Sequence, residues 1–119
     1  MLTVLVLASV ARAPRLIAQA ESVSEVHVLS HTHDSTLALA RARILLPDVF
    51  VIDLSAMFAP DSATVVHQAR QVEPPCTVVV HADDHVIGVI APDAAVAPAS
   101  TDVQGGLDDT LRRLNGAQS

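Results

Sequence analysis

The 119-residue chain contains no lysine, no tryptophan and no tyrosine, and its first twenty residues hold no carboxylate. All seven cations are arginine, and alanine is abundant, a combination that fits GC-rich codon usage. Phe50 and Phe58 are its only aromatics, which nearly excludes base stacking as a binding mode. A net charge of −6 repels phosphate backbones, so direct nucleic-acid binding by this chain is not expected. Cys76 is the single cysteine and has no intrachain partner, which points to a cytoplasmic protein. It lies between Pro74-Pro75 and Thr77-Val78-Val79-Val80 and reads as a core thiol. No apolar run approaches the roughly 18 residues of a membrane span, so no membrane association is expected. Leu2 to Ala8 is apolar and Ala11-Arg12-Ala13 mimics a cleavage site, but no basic residue precedes the run, as a secretion signal requires.

What is present is apolar residues in short blocks. The length suits one domain with a real core, here assigned to residues 1–115, with 116–119 as the start of a linker or a free tail. Thr3–Leu7, Val26–Leu29, Val49–Leu54, Thr77–Val80 and a weak Ala94–Val96 read as strands. Their continuous rather than alternating apolarity indicates burial on both faces, as in a parallel sheet. Helices are expected between them. Pro14 suits the first turn of the first helix, which continues through Leu16, Ile17 and Ala20. Asp34 or Ser35 caps the second, and Pro47 stops it after an inner face of Leu37, Ala40, Ile44 and Leu45. Asp61 or Ser62 caps the third, with Val65, Val66, Ala69 and Val72 inward. The last runs from about Asp102 to Leu114 and ends at Asn115-Gly116, and Gly105-Gly106 weakens it. Val86–Ile90 is read as a short, irregular fourth helix, although its β-branched content also fits a strand hairpinned through Ala82–His85. The rhythm predicts a doubly wound α/β sheet.

The stretch from Asp34 to Arg41 followed by Pro47-Asp48-Val49-Phe50-Val51-Ile52-Asp53-Leu54 resembles the bacterial response-regulator receiver family. In that family an amphipathic helix leads through a Pro-Asp-Val-like turn into the strand that presents the phosphoacceptor aspartate. The resemblance implies a five-stranded parallel sheet in the order 2-1-3-4-5, a flavodoxin-like fold with its chemistry at the carboxyl ends of the strands. It makes Asp53 the phosphoacceptor-like residue. The family's Mg²⁺-binding acidic pair falls on Ala8-Ser9, its switch residue on His81 or Ala82, and its strand-five lysine near Ala97-Pro98.

With one carboxylate and no lysine, Mg²⁺ and a phosphoryl group lack their partners, so no catalytic residue, metal or cofactor is expected. The expectation is an atypical receiver, a pseudo-receiver, that acts as a phosphorylation-independent dimerisation and interaction module in signal transduction and transcription regulation. Its partners would be a second copy of itself, through the terminal helix and neighbouring elements, and a fused or associated DNA-binding domain. An alternative is a small-ligand sensor that uses the vestigial pocket of Ser9, Asp53, His81 and Ala97. A second alternative follows from Ile52-Asp53-Leu54-Ser55 and Asp61-Ser62, which resemble anti-sigma-factor antagonist (STAS) domains, with Ser62 as phosphoacceptor. His31-Thr32-His33-Asp34 and His81-Ala82-Asp83-Asp84-His85 hold metal-ligand residue types. Their expected place is at the ends of different strands, as solvated loop histidines, with His81 beside Asp53 as an imidazole–carboxylate pair.

Overall fold

The computed structural model describes residues 2–54, 62–71, 76–82, 85–90 and 106–118. Along the chain these form β1 (Leu2–Leu7), α1 (Ala13–Glu21), β2 (Val26–Thr32), α2 (Ser35–Leu45), β3 (Val49–Asp53), α3 (Ser62–Arg70), β4 (Thr77–Ala82), β5 (His85–Ile90) and α4 (Leu107–Gln118). The fold is α/β and flavodoxin-like, with one five-stranded sheet in the order β2-β1-β3-β4-β5. The first four strands in that order are mutually parallel.

Strand periodicity sorts the side chains into two layers. Leu2, Val4 and Val6 of β1 meet Leu16 and Ala20 of α1 and Leu107 and Leu111 of α4. Leu5 and Leu7 face the other way with Phe50, Ile52 and Val78, toward Ala38 and Ala42 of α2 and Val65 and Ala69 of α3. Cys76 belongs to this second layer, and burial together with the nearby Asp48 carboxylate pushes its thiol pKa up, so it stays protonated. At the amino edge of the sheet Asp48 ties three strands. Its carboxylate accepts from the N–H and Oγ1 of Thr3 at 2.8 and 3.0 Å, and its carbonyl accepts from the N–H of Thr77.

Three expectations need correction. Residues 86–90 are not a helix: β5 runs antiparallel to β4, with Val79 opposite Val89 and Ala82 opposite His85, so the sheet is parallel only across its first four strands. A short connection can return the chain only antiparallel, since a parallel crossover needs a dozen or more residues. Along β5 Val86 and Gly88 are buried while His85 and Ile87 are exposed, the period of two that an edge strand shows. The weak strand expected at Ala94–Val96 lies outside the described residues.

The inner face of α2 also differs from expectation. Ser35, Ala38 and Ala42 are buried, whereas Leu37, Ile44 and Leu45 are exposed. The bulk of Phe50 fills the space beneath α2, so small residues let the helix approach the sheet.

Finally, α4 passes through Asn115-Gly116, where the sequence placed its end, to Gln118. One helical glycine costs about 1 kcal/mol, too little to end a helix whose Leu107 and Leu111 are fully buried. Asn115 adds a hydrogen bond from its side-chain amide to the carbonyl of Ser24. Gly106 precedes the first turn of the helix rather than lying within it, and Gly105 lies outside the described residues.

Candidate functional site

In this strand order the chain crosses to opposite faces of the sheet after β1 and after β3, which opens a crevice at the carboxyl ends of those two strands. Asp53 ends β3 there and is completely buried. Its register partner across the parallel ladder is His81 of β4, also completely buried. The N–H of Leu54 donates to the carbonyl of His81 at 2.7 Å, which locks the two strand ends together.

The third member of the group comes from the turn after β1. Ala8 donates its N–H to the carbonyl of Thr32, and Ser9 then turns the chain by accepting the N–H groups of Arg12 and Ala13 on its carbonyl. The Oγ of Ser9 accepts from Arg12 as well. This turn leaves Arg12 as the N-cap of α1, with no side-chain cap of its own. Its guanidinium lies over the sheet end, where Nε donates to Oδ2 of Asp53 at 2.5 Å. A cation at a helix N-terminus opposes the helix dipole by a few tenths of a kcal/mol to about 1 kcal/mol. The buried carboxylate reverses that preference, because a charge-assisted hydrogen bond inside the fold outweighs it. Arg12 remains about a quarter exposed, so its charge reaches both the crevice and solvent.

His81 is not the solvated loop histidine expected from sequence. Its Nδ1 lies 3.6 Å from Oδ1 of Asp53, beyond hydrogen-bond range, and neither ring nitrogen has a hydrogen-bond partner among the described residues. A buried polar group without a partner carries a desolvation cost. Replacing His81 by Leu, of similar bulk, is therefore expected to leave stability unchanged or raise it by about 1 kcal/mol. Urea unfolding checks this, and a loss of about 2 kcal/mol would instead assign the imidazole a charged pairing with Asp53.

The structure thus brings Asp53 and His81 together and places Ser9 in the turn that delivers Arg12. Ala97 lies outside the described residues, as do Asp61, Asp83 and Asp84. Ser62 begins α3. Sequence reasoning missed Arg12 as a site residue. The available signal was position: it is the first cation of the chain and follows the strand whose end faces Asp53.

His31 and His33 stand at the end of β2, which β1 and β3 separate from His81 on β4. No group of three or more His, Cys, Asp or Glu side chains suited to a metal ion occurs among the described residues. A cleft of about 300 Å³ opens beside His31 and His33 and is lined also by Arg41, Val10 and Pro14. Compared with protein-family models, curated proteins and solved structures, the chain matches none.

Proposed function

We propose that this chain is an atypical receiver-like domain that works without phosphorylation, as a homodimerising interaction module in bacterial signal transduction and transcription regulation. The observation that carries this reading is the Arg12–Asp53 pair. Phosphoryl transfer to a receiver-type aspartate needs a free carboxylate oxygen and a divalent cation held by further carboxylates. Here Oδ2 is engaged by a guanidinium, the carboxylate is fully buried, and no acidic residue precedes Glu21 to stand after β1. Arg12 supplies a permanent positive charge in place of a regulated one, so the charge state of the crevice does not cycle.

Output then rests on surface contacts. On the terminal helix Leu107 and Leu111 are fully buried in the core. Exposed apolar side chains occur along α2 and just past it, at Leu37, Ile44, Leu45 and Leu46. We place the contact between copies there. A fused or associated DNA-binding domain and a cytoplasmic location belong to the same proposal. In support of the latter, no helix among the described residues is long and apolar enough to cross a membrane.

Acetyl phosphate with Mg²⁺ is expected to produce no mass shift. Sedimentation is expected to show a concentration-dependent dimer that the treatment leaves unchanged. Phosphate recovered on Asp53 would overturn the phosphorylation-independent reading, and a chain that stays monomeric at high concentration would overturn the dimer.

A further inference from the structure

The cleft beside β1 and β2 has a composition unlike the rest of the chain. Its lining holds one guanidinium, Arg41, two imidazoles, His31 and His33, and no carboxylate, in a protein of net charge −6. Between Glu25 and Asp48 the sequence has one acid, Asp34, whose carboxylate is turned to the N–H of Leu37 as the cap of α2. Arg41 is held in place before any ligand arrives. Its Nη1 donates to Oγ of Ser30 at 2.7 Å and to the carbonyl of His31 at 3.0 Å. No other atom of its planar fork is engaged among the described residues, so further N–H donors remain available. The lining also holds apolar side chains, among them Val10, Ala13 and Pro14. The volume sits at the small end of the range for small-molecule sites, and the carboxyl ends of strands are where open α/β sheets bind ligands.

We propose that this cleft binds a small organic monoanion, a carboxylate carried on a compact apolar body. Arg41, with His31 and His33, receives the acid group, and Val10, Ala13 and Pro14 receive the body. Charge-assisted hydrogen bonds to a pre-positioned guanidinium supply orientation, and the apolar side chains supply size selection. The proposal does not depend on the receiver-like reading, because it uses neither Asp53 nor Arg12.

Amide chemical shifts of the whole chain, followed during titration with benzoate, acetate, inorganic phosphate and benzamide, test it. Benzoate is expected to bind saturably in the millimolar range or tighter, with shifts confined to residues 8–14 and 30–41. Acetate and phosphate bind more weakly because they lack the body, and benzamide because it lacks the charge. Arg41→Gln is expected to weaken benzoate about tenfold, the effect of one charge-assisted hydrogen bond. Since Arg41 also braces β2, Val10→Asp gives a second reading: Val10 is 71% exposed, so the fold tolerates the change, while the added carboxylate repels the anion to a similar degree. The proposal is overturned if no titration saturates, if the shifts lie elsewhere, if benzamide or phosphate matches benzoate, or if both variants bind as before.

Discussion

Arg12→Ala is expected to destabilise the fold by about 2–3 kcal/mol in urea unfolding at neutral pH, with the loss shrinking as the solution is acidified. Asp53 is fully buried, and the substitution takes away the guanidinium that offsets its desolvation. Removing one partner of a fully buried pair costs about 3–5 kcal/mol; Arg12 is partly solvated, so a smaller figure applies. The pH dependence follows from linkage. Without Arg12 the buried carboxylate favours its neutral form, so the folded state takes up a proton more readily than the unfolded chain. The contribution of Asp53 to the stability of the variant then grows as pH falls. A uniform loss across the acid range would mean that Arg12 acts through packing of its aliphatic stem rather than through charge. Asp53→Asn is expected to cost less, because the partly exposed guanidinium can turn to water while the buried charge is gone.

The larger effect is expected at Phe50, the bulkiest fully buried side chain among the described residues. It faces Ala38 and Ala42 of α2 and Val65 and Ala69 of α3. None of these small side chains can swing into the space that Phe50→Ala leaves, so the cavity persists. A loss of about 3–5 kcal/mol is expected, against a total stability on the order of 5–15 kcal/mol. The comparison is Ile44→Ala on α2, where 76% exposure limits the change in monomer stability to about 0.5 kcal/mol. If the Phe50 variant unfolded within about 1 kcal/mol of the parent, the second layer would have collapsed around the gap, and the packing account given for α2 would be wrong.

The elements were legible where local chemistry decides them. Pro14 in the first turn of α1, Asp34 capping α2 and the unbroken apolar runs of β1 and β3 each constrain only neighbouring backbone, and each element stands where the sequence puts it. The doubly wound sheet followed from the βαβ rhythm, and the order of its strands from the resemblance alone. The rotation of α2 was not legible, because two apolar stripes compete on that helix. Only the position of Phe50 beneath it decides that alanines rather than Leu37, Ile44 and Leu45 go inward. For Val86–Ile90, β-branched content allowed two readings, and pairing with β4 selected the strand.

By itself the sequence determined the charge inventory: no lysine, no early carboxylate, and one aspartate at the end of a buried strand. Those are counts, and folding cannot alter them. Tertiary structure decided which groups meet. Arg12 and Asp53 are 41 residues apart and come together only because β1 and β3 are neighbours in the sheet, so that the turn after one strand reaches the tip of the other. His81 read as a solvated strand-end residue on paper. Its register opposite Asp53 on an interior strand buried it, since a side chain there is covered by both the adjacent strand and the layer above.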